Sequence, residues 1–448
     1  YVEGRKNVVG CPIHASFEEY NSDSLRNISD PCRLRTFLEI KKKYERNPAD
    51  LFVFKRLRSL DMSHCKIRDF PESIGKMRHL RYLKLSHCGK LTWLPKSISN
   101  LVNLQTLRLE HCDNLEFSVD MITTLINLRK LDIQFCKAFE DGMPIGLGRM
   151  AVLQCLSNFI VGNDDKGRKK AKLNELKELD LRGSLNIQKL GLVRDVEEES
   201  KDVNLRTKKN LISLSLYWGR DLEIKNSDCL RLLENLSPHQ NLKALDIREY
   251  PGVCLPDWLL LCTNLVKLFF FDIRNCQYLT ALEGLISLKT LYVINMDKLE
   301  YIYYKECSSS TNFFPSLEEL FISKCGRLKG WVREENVQNT RGNERHHSLP
   351  SFSRLSSLYI RDCPELSCMP TFPNLVRHLE LMESSTKPLL DTLIGPSTSD
   401  GKATSLSMLK SLHIEGIDLE ALPEEWMQNL SSLETLRIER FSSAEVPF

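Results

Sequence analysis

The chain has 448 residues, of which 27% are charged and 42% hydrophobic, and its formal net charge is +3. That composition belongs to a soluble, folded protein. So small a charge does not imply nucleic acid or anionic membrane as a general partner, and no run of 18 apolar residues offers a transmembrane helix.

The length fits two or three ordinary domains, or a single repeat array. The first residues, YVEGRKNVVG, lack the apolar core of a signal peptide, and the missing initial Met points to a fragment or a processed product. Fifteen cysteines, an odd number in a long chain, are expected to be reduced cytosolic thiols. Asn-x-Ser sequons at Asn27, Asn235 and Asn429 are short enough to arise by chance.

Residues 1–50 read as a connector or cap. Between Arg33 and Arg58 stand nine Lys/Arg against three Asp/Glu, including Lys41, Lys42 and Lys43. Regular repeats follow over 51–161. The triplets Ser63-His64-Cys65, Ser86-His87-Cys88 and Glu110-His111-Cys112 suggest a metal site until the preceding residues are aligned: LRSLDMSHC (57–65), LRYLKLSHC (80–88), LQTLRLEHC (104–112) and LRKLDIQFC (128–136). The starts lie 23, 24 and 24 residues apart. The pattern is Leu-x-x-Leu-x-Leu-x-x-Cys, the leucine-rich-repeat signature with Cys in its Asn/Cys slot.

Residues 162–207 break the period, first basic and then acidic at DVEEES; LQCLSNFIV (153–161) and LRGSLNIQKL (181–190) read as degenerate lines. From 208 to 448 the lines resume at 211, 242, 265, 288, 317, 355, 409 and 433, with polar insertions at 326–350 and 384–405. Twelve clear repeats in all predict an α/β repeat fold: a leucine-rich-repeat horseshoe with a concave parallel sheet and an irregular or short-helical convex side. Each Leu-x-Leu alternates with period 2, which predicts a short strand with one buried face. Several returning arms start with Pro, as in FPESI, LPKSI and LPDWL, and an apolar residue pins each to the core. In this setting the cysteines close the turn after each strand, with their thiols near backbone amides of the next repeat, and the histidines face away. Zinc needs about four converging ligands, and a stacked ladder does not converge.

Catalytic motifs are not found. GNDDKGRKK (162–170) has Arg168 where a phosphate loop requires Lys, and the histidines of RHH (345–347) read as solvated. Binding has better support. The residue between the last two apolar positions of each line faces the concave side. In order these are Asp61, Lys84, Arg108, Asp132, Ser215, Asp246, Phe269, Tyr292, Phe321, Tyr359, His413 and Arg437. The aromatic run Phe269, Tyr292, Phe321 and Tyr359, with Tyr217, Trp218 and Phe271 nearby, is a candidate protein-contact stripe; coverage by inserted loops is the alternative. Lys41, Lys42, Lys43, Arg56, Arg58, Arg81, Lys84 and Arg108 form a candidate basic face, either solvated or set against an acidic neighbouring domain.

Residues 54–112 strongly resemble the start of the leucine-rich-repeat region of plant intracellular nucleotide-binding leucine-rich-repeat immune receptors, especially the coiled-coil class. KLNELKELDLRGSLNIQKLGLV (172–193) and KNLISLSLYWG (209–219) are similar to them as well, and LRTFLEI (34–40) resembles their connector. The resemblance covers nearly all of 32–448, more loosely after about 300. It implies a cytoplasmic receptor, in full-length form also nucleo-cytoplasmic or membrane-associated, that perceives a pathogen effector or a guarded host protein. It further implies that the repeats hold a nucleotide-binding module in its ADP-bound resting state. ADP and ATP would then belong to that module; no cofactor or metal is expected in this chain, and no enzyme activity. An extracellular repeat receptor fits less well, because its arms carry Leu-x-Gly-x-Ile-Pro and its turns Asn. An F-box substrate adaptor fits less well too, for want of an F-box before the repeats.

Overall fold

The computed structural model describes residues 2–3, 13–17, 33–39, 53–116, 119–162, 170–220, 226–279, 282, 284–303, 314–332, 351–394, 406–416 and 430–439. Lys41, Lys42, Lys43, the motif at 163–169 and most of the insertions (333–350 and 395–405) lie outside them. The chain divides into two compact units, Tyr1–Leu211 and Ile212–Phe448.

The first unit holds strands β1 (Val2–Glu3), β2 (His14–Phe17), β3 (Thr36–Glu39), β4 (Ser59–Asp61), β5 (Tyr82–Lys84), β6 (Thr106–Arg108), β7 (Lys130–Asp132), β8 (Cys155–Leu156), β9 (Asn158–Ile160) and β10 (Gly183–Gln188). β1 to β8 form one sheet in chain order, and β9 pairs with β10; the pairings are parallel. The register stacks like residues, running Phe37, Leu60, Leu83, Leu107, Leu131, Leu156. All six are at most 1% exposed. The connector expected over 1–50 therefore supplies strands to the same sheet.

The second unit holds β11 (Leu211–Tyr217), β12 (Ala244–Arg248), β13 (Lys267–Phe271), β14 (Thr290–Ile294), β15 (Tyr301–Tyr303), β16 (Glu319–Ser323), β17 (Gly330–Val332), β18 (Ser357–Arg361), β19 (His378–Met382), β20 (Ser411–Glu415) and β21 (Thr435–Glu439). Neighbours are parallel, in the small separate β15–β17 pair as in the main sheet, whose strands stack Leu214, Leu245, Leu268, Leu291, Leu320, Leu358, Leu379 and Leu412. Each such leucine, once buried, contributes about 2 kcal/mol. A single repeat has no second face against which to bury it, so the stacking of neighbours is what makes each strand stable.

The arms follow their prolines. Pro71, Pro95 and Pro256 each precede a 3-10 turn, at Glu72–Lys76, Lys96–Asn100 and Asp257–Leu261. Proline fits there because the first turn of a helix needs no N–H from it. Three residues on, Ile74, Ile98 and Leu259 are fully buried and pin the arm. These lines, stacked strands and pinned arms make the chain a leucine-rich-repeat solenoid. Among the described residues no helix is long and apolar enough to cross a membrane.

The thiols of the slot cysteines meet carbonyls as well as amides: Cys88 Sγ donates to Met62 O at 3.3 Å and Cys112 Sγ to Leu85 O at 3.1 Å, while the backbone of Cys88 faces Cys112 and that of Met296 faces Cys325. The neighbouring amides are already used, Met62 N on Lys84 O and Leu85 N on Arg108 O. The carbonyls are left needing a donor, and a thiol is one. His64, His87, His111 and Phe135, the residues before the slot, have φ of 58°, 58°, 54° and 53°. Their rings stack in sequence at centroid distances of 4.7, 4.5 and 4.6 Å.

A candidate protein-contact face

Strand parity lifts three parallel columns of side chains onto one face of the second unit. The middle column runs Ser215, Asp246, Phe269, Tyr292, Phe321, Tyr359, Glu380, His413, Arg437 in direct register. Phe269 and Tyr292 rings lie 5.0 Å apart, Tyr292 and Phe321 5.2 Å, Phe321 and Tyr359 5.5 Å. The strand spacing of about 4.8 Å sets that interval. All four rings are half-buried, since each covers the next.

The column at the strand exits runs Tyr217, Arg248, Phe271, Ile294, Ser323, Arg361, Met382, Glu415. Phe271, Ile294 and Met382 thus widen the aromatic stripe. Two guanidiniums bracket it: Arg248 lies 5.5 Å from the Phe271 centroid and Arg361 5.1 Å from that of Phe321. On the entry side Tyr292 Oη donates to Glu319 Oε1 at 2.9 Å. Burial, reinforced by that carboxylate, pushes the Tyr292 phenol up to about 12, so it remains a neutral donor.

Trp218 does not join this face. It is 1% exposed and packs edge-on against Tyr250 at 4.9 Å. Leu214 and Leu216 point inward, and Trp218 has the same parity, which sends it to the core. Tyr217, at the opposite parity, stays half-buried on the face.

Beyond the stripe lies a charged cluster that sequence reasoning reached only through His413. Glu380 on β19 is 5% exposed. It is hydrogen-bonded by Arg361 Nε, and His378 Nε2 and His413 Nδ1 lie 3.5 and 3.6 Å from its carboxylate. Burial pushes the Glu380 carboxyl up, but Arg361, His378 and His413 outweigh it and hold the group below the usual carboxylate range. β19 is hidden in the sequence because its line, Leu375-x-x-x-Leu379-x-Leu381, carries one extra residue. At the strand exits Arg220 bridges Glu249 at 2.8 Å and Asp272 at 3.0 Å, and Arg274 also holds Asp272 at 2.6 Å.

In the first unit the expected basic face splits in two. Arg58 and Arg81 stand where the chain enters β4 and β5. Their backbones are linked in series, Arg58 N to Arg35 O at 2.7 Å and Arg81 N to Arg58 O at 2.8 Å. Arg56, Arg58 and Arg81 are exposed, and among the described residues none has a carboxylate within ion-pair distance. Lys84 and Arg108 instead lie in register on the sheet face, between Asp61 and Asp132. Arg108 is bound by Glu110 and lies 3.5 Å from Asp132 Oδ2. It is therefore largely neutralised rather than part of a free basic surface.

The family profile described as R13L1/DRL21 leucine-rich repeats matches residues 173–296, and the general leucine-rich-repeat profile matches 56–77 and 79–101. The chain is 39% identical over 409 residues to "Putative disease resistance protein RGA1" of Solanum bulbocastanum, across 90% of this chain and 38% of that protein. It is 32% identical over 229 residues to disease resistance protein RGA2 of the same species, across 49% of this chain and 22% of that protein. The chain thus spans well under half the length of these relatives. A solved Leptospira interrogans leucine-rich-repeat protein superposes with a TM-score of 0.46 at 18% identity, over 94% of this chain and 99% of that one. Repeat lines matched from Arg56 onward, and relatives named for disease resistance along 90% of the sequence, place the chain: it is a leucine-rich-repeat region similar to part of plant disease-resistance proteins.

Proposed function

We propose that this chain is the non-enzymatic recognition and restraint region of a cytoplasmic receptor of the coiled-coil class. The stripe Phe269–Tyr292–Phe321–Tyr359 meets a pathogen effector or a guarded host protein, and the edge carrying Arg56, Arg58 and Arg81 docks the receptor's own nucleotide-binding module. The observation that carries the reading is the stripe: four aromatic rings in direct register on a water-facing sheet surface, each within 5.5 Å of the next. Aromatic residues are enriched at the centres of protein interfaces. Bracketing by Arg248 and Arg361 adds the polar rim such centres have. Arg56, Arg58 and Arg81, which no carboxylate among the described residues reaches, support an acidic partner on that edge. ADP or ATP is assigned to that module; in the turns of the first unit the amides bond carbonyls of the next repeat, as His64 N on Ser86 O and His87 N on Glu110 O.

The test uses two paired variants, with folding checked by circular dichroism. Tyr292→Ala/Phe321→Ala should lose binding to a cognate effector or guarded protein, drawn from a cloned panel, and keep binding to a co-expressed nucleotide-binding module. Arg58→Glu/Arg81→Glu should do the reverse. Unchanged effector binding by the aromatic variant rejects the stripe; unchanged module binding by the charge variant rejects the edge.

A further inference from the structure

Cys65 and Cys88 fill the same slot of consecutive repeats, and their sulfur atoms lie 3.0 Å apart. A disulfide bond is about 2.05 Å long, so the two atoms need close by only about 1 Å. The backbones already fit. Adjacent parallel strands run about 4.8 Å apart, within the Cα separation of 4.4–6.8 Å that a disulfide spans. The two thiols differ in access: Cys88 is 0% exposed, whereas Cys65 is half-buried and reaches solvent beside the exposed His64. Further along the ladder Cys112 and Cys136 are both buried, 0% and 4% exposed, and Cys112 directs its thiol to Leu85 O. Among the four rungs at Cys65, Cys88, Cys112 and Cys136, the first combines an accessible sulfur with a second sulfur directly behind it.

We propose that Cys65 and Cys88 are an oxidisable dithiol, a modification site that a peroxide converts to a disulfide between two consecutive repeats. The Cys65 thiolate attacks one oxygen of hydrogen peroxide. An S–O bond forms, the O–O bond breaks, hydroxide leaves, and Cys65 becomes a sulfenic acid. The Cys88 sulfur then attacks the Cys65 sulfur. The S–S bond forms, the S–O bond breaks, and the hydroxyl departs as water with the Cys88 proton. Two thiols and one peroxide give one disulfide and two waters. The crosslink closes the loop between the two slots and stiffens the repeats that carry Arg58 and Arg81.

The experiment treats the purified full chain with a slight excess of hydrogen peroxide, blocks remaining thiols, and maps peptides without reduction. The expected product is a Cys65–Cys88 linked peptide, with a mass loss of two hydrogens, reversed by dithiothreitol. Its yield should be unchanged in Cys112→Ser, and the thermal midpoint of the oxidised wild type should rise while that of oxidised Cys65→Ser does not. Recovery of Cys65 as sulfinic or sulfonic acid with Cys88 still reduced overturns the proposal. So does linkage of Cys65 to other cysteines as often as to Cys88. Both outcomes are read on the wild-type chain and do not depend on whether a variant folds.

Discussion

Tyr292 and Phe321 stand opposite each other on β14 and β16, their rings 5.2 Å apart and within 9° of parallel. The pair links stability to binding, because the rings that would meet a partner also cover each other. Stacked aromatic pairs contribute about 0.5–1.5 kcal/mol beyond their burial. A double-mutant cycle with Tyr292→Ala and Phe321→Ala should therefore return a coupling energy in that range. Hydrogen exchange of the β14 and β16 amides reads it locally. A coupling of zero would mean that the rings are neighbours without interaction.

His111 tests the turn. Its φ of 54° lies in the left-handed region, where a β-branched residue is strained and His, Asn and Asp are tolerated. His111→Ile should cost about 1–2 kcal/mol from backbone strain, plus the lost stacking on His87 and Phe135. His111→Asn should lose the stacking and little else. Equal thermal midpoints for the two variants would show that the left-handed turn places no constraint on the residue.

Much of this was legible in the letters. Leu-x-x-Leu-x-Leu fixes strand, parity and stacking together, so Phe269, Tyr292, Phe321 and Tyr359 could be placed in one column before any coordinates. What stayed hidden has local causes. Trp218 sits one residue past the end of β11 and keeps inward parity, yet its size and its neighbour Tyr217 suggest a surface anchor. The extra residue between Leu375 and Leu379 breaks the pattern by one and conceals Glu380 and His378. Arg81 and Lys84 are three residues apart in sequence but belong to different surfaces, because one precedes the strand and the other ends it. The strands at His14–Phe17 and Thr36–Glu39 were unreadable for another reason: their lines have too few leucines, and what reveals them is the pairing of β2 to β3 and of β3 to β4.

Leu379 tests the concealed repeat directly. It is 0% exposed and in register with Leu358 and Leu412. Leu379→Ala should cost about 2–5 kcal/mol, as for other buried leucines. Since each repeat contacts its neighbours, the loss should appear first as protease cleavage near residues 375–383 rather than as global unfolding. Cleavage evenly distributed along the chain would argue that the array unfolds as one cooperative block.

Asp132 gives the pH prediction. Burial, reinforced by the facing Glu110 carboxyl, pushes Asp132 up to about 6 from 3.8. Glu110 moves the opposite way, from 4.5 down to about 2, because Asp132 hydrogen-bonds to it and Arg108 adds its charge. The pair holds one proton between two carboxyls, and Asp132 Oδ1, buried without a donor, is suited to carry it. The signs follow by linkage. Asp132 is raised, so its stabilisation is complete below pH 3.8 and is lost as pH rises through 6. Glu110 is lowered, so its stabilisation is present above pH 4.5 and is lost only as pH falls toward 2. Between pH 4.5 and 7, then, Asp132 governs the local slope, and stability should decline by on the order of 1 kcal/mol. Asp132→Asn keeps a donor to Glu110 without the titration, so its stability should be flat across that window. Denaturant midpoints measured at half-unit pH steps decide it: a wild-type slope that survives unchanged in Asp132→Asn places the titrating group elsewhere.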